Sequence, residues 1–144
     1  MTTLHLLVHV NLPVPKTQLS GERSDSYSVL GYEKLHVYRL ALRFVADTLS
    51  LKDLFSRGHA ALIDQFHSAS ISVVLNIAEG AGKFKTADKQ RFYAIDRGSA
   101  MECGALLDIF SLLKIIDKKQ HCSQKDTLVR IVSMLTSLCL SRRQ

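Results

Sequence analysis

Apolar side chains in residues 32–144 recur every three or four positions, the spacing that lines one face of an α-helix. Four successive segments show this spacing, with polar residues between the apolar ones. We predict that each segment is an amphipathic helix that buries its apolar face against the others. The predicted inward positions, from the first helix to the fourth, are Leu35, Tyr38, Leu42, Val45 and Leu49; Leu62, Phe66, Ala69, Val73 and Ile77; Phe92, Ile95, Ser99, Glu102, Leu106, Ile109, Leu113 and Ile116; and Leu128, Ile131, Leu135 and Leu138.

Polar and glycine-containing breaks separate these segments. Arg57 and Gly58 lie between the first two helices, and the second helix is predicted to run from about His59 to Gly80. Gly80 and Gly82 favour a helix end because glycine readily adopts the left-handed backbone conformation found there. We therefore expect helix two to end at these glycines.

The predicted starts of the third and fourth helices carry capping residues. Thr86 is placed to cap helix three, while Ser123 and Asp126 have the spacing of a capping box for helix four. Short connections between amphipathic helices favour antiparallel neighbours. The sequence thus predicts an all-α fold, an up-down-up-down antiparallel four-helix bundle.

Residues 1–31 differ from the rest of the chain. Pro13, Pro15 and the polar run at residues 18–28 interrupt any helical pattern. We predict a flexible leader over residues 1–31, followed by a bundle domain over residues 32–144. The leader carries no basic side chain before its short apolar patch, so it lacks the form of a signal peptide.

Composition narrows the class of protein. At 144 residues the chain fits one domain, and its 47% apolar content with only two prolines favours a compact fold. Cys103, Cys122 and Cys139 show no paired spacing, which argues against a disulfide framework or a zinc site. Polar residues interrupt every apolar run before it reaches the ~20 residues that a membrane span needs. We expect a cytoplasmic protein that does not enter a membrane.

The formal net charge of +6 comes entirely from residues 32–144, because the two basic and two acidic side chains of residues 1–31 cancel. Positive charge indicates a polyanionic partner in some proteins and only a solvated surface in others. The candidate nucleic-acid-binding residues cluster around the break between helices two and three: Lys83, Lys85, Lys89, Arg91 and Arg97. Phe84, Phe92 and Tyr93 are interleaved with them, and an exposed aromatic ring can stack on an unpaired base. The alternative interpretation is a solvated helix face with Phe92 in the core.

The run GAGK at residues 80–83 has the glycine and lysine content of a phosphate-binding loop. A Walker-type loop, however, requires a glycine at the position of Ile77 and a serine or threonine at the position of Phe84. The run also follows a predicted helix instead of a strand. We interpret it as the end of a helix and not as a nucleotide site.

Polar positions on helices two and three form another candidate site. Ser72, Asn76 and Glu79 lie at helical spacing on helix two, and Ser99 and Glu102 occupy predicted inward positions on helix three. A buried carboxylate must find hydrogen-bond donors or raise its pKa. One interpretation is a structural polar network that fixes the register of the two helices. Its members are Asn76, Glu79, Ser99 and Glu102. The other interpretation makes Glu79 and Glu102 a carboxylate pair for acid–base or metal chemistry.

Patterns for metal binding and nucleophilic catalysis are weak. A carboxylate-bridged di-iron bundle uses two Glu-x-x-His units, and this chain has one such spacing, Glu33 to His36. The other histidines show no paired ligand spacing, and Cys103 has no histidine near it in sequence that would activate a thiol. We therefore predict no metal site, no cofactor and no enzymatic activity.

Several short motifs are shared with one protein family. They are Tyr32-Glu33-Lys34-Leu35, Gln65, Asn76-Ile77-Ala78-Glu79-Gly80 with Gly82-Lys83, Arg91-Phe92, and Gly98-Ser99-Ala100 with Glu102. With these motifs the chain from Tyr32 to about Leu140 resembles the four-helix bundle proteins encoded in intervening sequences of bacterial 23S ribosomal RNA genes. The family tends to carry basic residues where this chain has His67 and Ser68. The resemblance therefore does not extend to a basic face along that part of helix two.

The resemblance implies a small cytosolic bacterial bundle that forms a ring-like homo-oligomer, similar to the pentameric accessory protein of diversity-generating retroelements. That accessory protein works with a reverse transcriptase and binds nucleic acid. Our leading hypothesis is a non-enzymatic, oligomeric four-helix bundle that binds structured RNA or DNA as an accessory protein. The alternative is a ring-forming scaffold that docks a protein partner and has no nucleic-acid role.

Overall fold

The structure, a computed structural model, describes residues 29–50 and 57–141. The part of the predicted leader at residues 1–28 lies outside the described residues, as do residues 51–56 and 142–144. Four α-helices and two 3₁₀ turns make up the described chain, and no strand occurs within it. The elements are a first turn at Gly31–Lys34, α1 at His36–Ser50, a second turn at Arg57–His59, α2 at Ala60–Gly82, α3 at Thr86–Leu112 and α4 at Lys118–Leu140.

Consecutive helices pack against each other, and α1 closes the arrangement against α4. The connections 83–85 and 113–117 are too short to let a helix cross the bundle, so α3 returns antiparallel to α2, and α4 returns antiparallel to α3. This confirms the predicted all-α, up-down-up-down four-helix bundle.

The core is continuous along the bundle and is centred on three aromatic rings. The Phe66 ring packs edge-on against Phe44 at 6.0 Å and against Phe110 at 5.2 Å between centroids. The predicted inward faces of α2 and α4 are confirmed, because the predicted residues of both helices are buried or partly buried. Buried on α2 are Phe66, Ala69, Val73 and Ile77, and on α4 Leu128, Ile131 and Leu135, with Leu62 and Leu138 partly buried.

The predicted inward face of α1 is wrong in part. Leu42 and Leu49 are exposed, by 42% and 54% of their surface. The residues that α1 buries most fully are Val37, Leu40, Ala41, Phe44 and Thr48. Thr48 tolerates burial because its hydroxyl donates to the carbonyl of Val45 at 2.7 Å.

The predicted inward face of α3 is displaced around the helix axis. Ile95, Ile109 and Leu113 are exposed, and so is Glu102, while Leu106 and Ile116 are buried as predicted. Most of the residues that α3 buries lie one position after a predicted one. They are Tyr93, Asp96, Ala100, Cys103, Leu107 and Phe110. The reason is that α3 carries apolar residues on nearly every side, so a three-and-four spacing can be drawn through more than one face.

Gly80 does not end α2 in a left-handed conformation, contrary to the prediction. It lies inside the helix and is buried, and a β-carbon there would come within 2.9 Å of Tyr93 Cε1 and 3.0 Å of Phe92 Cβ. Its missing side chain therefore lets α2 and α3 approach closely. The helix continues to Gly82 and stops at Lys83, whose extended backbone donates its N–H to the Gly80 carbonyl at 3.2 Å.

The predicted helix caps are also wrong. Lys85 precedes α3 in the N-cap position, and no side-chain capping bond forms there. Helix α4 begins earlier than predicted, because Asp117 and Gln120 form the capping box. The Asp117 carboxylate accepts the Gln120 N–H at 2.7 Å, and the Gln120 amide oxygen accepts the Asp117 N–H at 2.9 Å. Ser123 lies inside this helix.

Among the described residues one helix, α2, is long and apolar enough to cross a membrane by length and composition alone. The expectation that polar residues interrupt every such run was too strict. The core helix of a soluble bundle meets the same criterion, and α2 buries one of its faces against its neighbours. The observation is therefore weak evidence for a membrane span.

Candidate nucleic-acid interface

The connection between α2 and α3 places Lys83, Phe84 and Lys85 at one end of the bundle. The Lys83 ammonium lies 2.9 Å from a Glu79 carboxylate oxygen and 4.6 Å from the centre of the Phe92 ring. Both contacts hold this cation along the α2–α3 pair. The half-buried Phe92 therefore serves as a platform for Lys83.

Phe84 is fully exposed to solvent between two lysines. Lys85 is also exposed. A phenyl ring gains nothing from lying in water, so its exposure offers a flat face to whatever approaches this end of the bundle. An aromatic face flanked by cations is suited to a stacked base with neighbouring phosphates.

Lys89, Arg91 and Arg97 diverge around α3. Successive residues turn by about 100°, so Lys89 and Arg91 point about 160° apart, and Arg91 and Arg97 about 120° apart. Arg97 also reaches α4, where its Nε donates to the Thr136 hydroxyl at 3.1 Å. The structure therefore gathers Lys83, Lys85 and Lys89 near the bundle end and leaves Arg91 and Arg97 on other sides of the helix.

A cleft of about 350 Å³ opens at the same end of the bundle. We call it the end cleft. Residues from several separate segments line it: the turn before α1, the end of α2, the α2–α3 connection, the start of α3 and the end of α4. Its lining includes Leu35, Phe84, Lys89, Gln90, Tyr93 and Leu138. This cleft could not be predicted from the sequence, because the segments that form it are far apart in the chain.

A short polar network joins α2 to α3. The Ser72 and Ser99 hydroxyls are 3.2 Å apart, and the Asn76 amide donates to Ser72 at 3.0 Å. All three side chains are half-buried, so these bonds form at the edge of the helix seam. Asn76 and Ser99 thus lie in one network, with Ser72 between them.

The two glutamates predicted for this network lie outside it. Glu79 pairs with Lys83, and Glu102 accepts a hydrogen bond from Gln65. Glu102 is exposed because α3 is rotated relative to the predicted face. Gln65 and Glu79 are fourteen residues apart on α2, about 21 Å along its axis, so Glu79 and Glu102 are too far apart to act as a carboxylate pair.

Among the described residues the buried carboxyl group is Asp96, which the sequence pattern did not single out. It is fully buried, and neither carboxylate oxygen has a hydrogen-bond partner among the described residues. Loss of hydration raises the pKa of Asp96 to about 8. The group is therefore mostly protonated at neutral pH and does not offset the neighbouring basic charge.

Other reactive groups are held in structural roles. Burial, aided by the negative charge of Glu102, raises the pKa of the Cys103 thiol to about 12, so the nucleophilic thiolate does not form at neutral pH. Glu33 caps the first turn by accepting the Leu30 N–H at 2.8 Å. In the part of the chain that the structure describes, no three histidine, cysteine or acidic side chains group together as metal ligands.

A second surface consists of large apolar side chains on the outward sides of α2 and α3. We call it the outward apolar surface. These residues are exposed by between 38% and 81% of their area, although most surface positions of a bundle helix are polar. They are Ile71 and Leu75 on α2, and Ile95, Met101, Ile109 and Leu112 on α3.

Comparison with known proteins gives one family and one fold. The family model described as 23S rRNA-intervening sequence protein matches residues 33–137. A crystal structure of a protein with unknown function, from the S23 ribosomal protein family of Bacteroides thetaiotaomicron, is similar with a TM-score of 0.68 and 20% sequence identity. The match covers 73% of this chain and 99% of that chain, and at this identity it supports the fold alone. No curated protein matches the chain in sequence.

Proposed function

The chain belongs to the family of 23S rRNA-intervening sequence proteins, and on that premise we propose that it is a non-enzymatic, oligomeric accessory protein that binds structured RNA or DNA. The observation that carries the proposal is the fully exposed Phe84 between Lys83 and Lys85. Polynucleotides are recognised by this combination of cations for the phosphates and an aromatic face for a base.

The charge distribution supports the same end of the bundle. The ammonium groups of Lys85 and Lys89 form no hydrogen bond or ion pair with other described residues, in contrast to that of Lys83. They lie four residues apart, on the same side of the first turns of α3. Both ammonium groups therefore remain available to phosphates, and Asp96, neutralised by burial, does not oppose them.

The test is a binding titration against a labelled RNA hairpin and a matched DNA duplex at several salt concentrations. We expect affinity to fall steeply with salt, because bound phosphates release counterions. Replacing Lys85→Gln and Lys89→Gln together should weaken binding about tenfold at low salt. It should also reduce the slope of log K against log salt by about 2, which corresponds to two lost phosphate contacts.

Lys118→Gln with Lys119→Gln is the matched control. These exposed lysines open α4 at the opposite end of the bundle, and their loss changes the net charge equally. The control should leave the affinity within about twofold. Equal losses from both pairs would mean that binding follows total charge and would refute an interface at the α2–α3 end.

A ring-forming protein scaffold with no nucleic-acid role is the second candidate function. The outward apolar surface favours it, because exposed apolar area on a bundle is suited to contact between proteins. The two candidates differ in their requirements: a scaffold assembles without nucleic acid and is indifferent to Lys85→Gln with Lys89→Gln. Absence of binding to either probe at low salt would leave the scaffold as the remaining candidate.

A further inference from the structure

The end cleft lies beside the proposed nucleic-acid interface, and its chemistry is specific enough to suggest an occupant. Resting on the proposed function, we infer that it accepts one unpaired nucleotide of a bound RNA or DNA strand. The base stacks on Phe84 at the mouth and enters between apolar side chains, while its phosphate lies at Lys89. The bundle would then discriminate strands with unpaired nucleotides from fully paired duplexes.

Phe84 gives the first argument. Its ring lines the cleft and is still fully exposed, so one face is turned to solvent beside a concave surface. No packing in the described bundle requires a phenyl ring at this position. Bases of every kind stack on such rings, and a base must be unpaired to do so.

The size and polarity of the end cleft give the second argument. Its volume of about 350 Å³ is at the lower end of the range for small-molecule sites, about 300–1,000 Å³, so it suits a single nucleotide and not a duplex. Leu35 and Leu138 provide apolar walls for the faces of a base. Gln90 and Thr86 provide polar groups for its edge, and the Gln90 amide is already oriented by the Ser141 carbonyl at 3.4 Å.

Charge gives the third argument. Among the described residues that line the cleft, Lys89 is the one charged side chain, and none is acidic. Lys89 is half-buried, so its charge is less screened than that of an exposed lysine. Lys85 stands one turn before it, at the N-terminal end of α3 where the helix dipole adds positive potential. The cleft thus suits a nucleotide phosphate better than a neutral or cationic ligand.

The experiment compares three probes of equal phosphate number: a duplex with a short unpaired overhang, the same duplex with abasic overhang sites, and a fully paired duplex. RNA and DNA versions are titrated separately to distinguish the two strands. We expect the natural overhang to bind at least about tenfold more tightly than the other two probes, because only it offers a base to Phe84.

Phe84→Ala should remove that preference, so that this variant binds the natural overhang no more tightly than it binds the fully paired duplex. Phe84→Tyr, which keeps the ring, should retain the preference. Leu49→Ala, a change of an exposed apolar residue at the opposite end of the bundle, is the matched control and should behave like wild type. Since Phe84 is exposed, these variants should keep the wild-type melting temperature.

The outcomes separate the two levels of the proposal. If wild type binds all three probes equally, or if Phe84→Ala weakens them equally, the end cleft does not take a nucleotide and the proposed function stands. If wild type binds none of them at low salt, both proposals fail. If Phe84→Ala loses affinity for the natural overhang alone, the result supports the nucleotide site.

Discussion

At the scale of single residues, Asp96 couples the stability of the bundle to pH. Its pKa is about 8 in the folded protein and near the ordinary value of 3.8 when the chain unfolds. Between these values the folded state holds a proton that the unfolded state releases, so rising pH favours unfolding. The contribution of Asp96 to the free energy of unfolding is therefore fully present below about pH 4 and is lost as the pH rises towards 8.

Asp96→Asn tests this coupling. The asparagine has nearly the same shape and does not ionise, so the free energy of unfolding should depend less on pH between 5 and 8. At pH 7 the variant should be more stable, by an amount on the order of a few kcal/mol. Urea unfolding at pH 5, 6, 7 and 8 measures both effects.

Asp126→Asn is the control, since it removes an exposed carboxylate from α4. It should keep the wild-type pH dependence. An Asp96→Asn protein whose stability follows pH as wild type does would show that this carboxyl group is already ionised in the fold.

At the scale of the elements, the sequence was informative for the faces of α2 and α4 and misleading for that of α3. On α2 the three-and-four spacing of Phe66, Val73 and Ile77 marks the buried side, although Ile71 and Leu75 are apolar and exposed. On α3 the apolar residues Ile95 and Ile109 suggested a stripe that the fold leaves exposed. The neighbours of α3 decide which of its sides turns inward. The prediction therefore placed Glu102 inward and did not include Asp96, which the fold buries.

The helix ends show a similar limit. Ser123 with Asp126 and Asp117 with Gln120 both have the spacing of a capping box. Only the second pair stands where the chain leaves the α3–α4 connection, and three-dimensional position decides between them. Glycines are ambiguous for the same reason: Gly80 was read as a helix end, but its role is close packing.

Gly80→Ala tests the close approach of α2 and α3. The added methyl group would overlap the Tyr93 ring and Phe92 Cβ, so one helix must shift. We expect a loss of about 1–3 kcal/mol in the free energy of unfolding, the usual cost of overpacking a core.

Gly82→Ala provides the comparison. A β-carbon at Gly82 meets nothing within 4 Å, and alanine favours the helix more than glycine does. This variant should match or slightly exceed the wild-type stability in the same urea titration. If both alanine variants are equally stable, the two helices do not need Gly80 to pack.

At the scale of the whole molecule, topology and total charge were predictable, and the arrangement of charge was not. Four amphipathic segments with short connections allow few bundles, and the observed one is the simplest. Five basic residues close in sequence nevertheless separate around α3, because a helix turns neighbouring side chains to different sides. The end cleft was not predictable for the related reason that it joins residues as distant as Leu35 and Leu138.

The outward apolar surface predicts self-association. Leu75 and Met101 are exposed by 63% and 56%, and burying them between copies would release that area from water. We expect light scattering to give a mass well above the 16.1 kDa of one chain. Leu75→Gln with Met101→Gln should lower this mass towards the single chain.

Leu42→Gln is the control for an exposed apolar side chain outside this surface, because Leu42 is 42% exposed on α1, which packs against α2 and α4. It should keep the wild-type mass. A wild-type protein that already measures 16.1 kDa would rule out a homo-oligomer held by these side chains.

The end cleft exists only in the folded chain, since it is assembled from both ends of the bundle sequence and from its middle. A ligand that fits there binds the native state and not the unfolded one, and it stabilises the fold by mass action. Occupancy at a hundred times the dissociation constant would add about 2.7 kcal/mol to the free energy of unfolding. The melting temperature of the bundle is therefore a direct assay for its ligand, and mononucleotides can be ranked by the shift each produces.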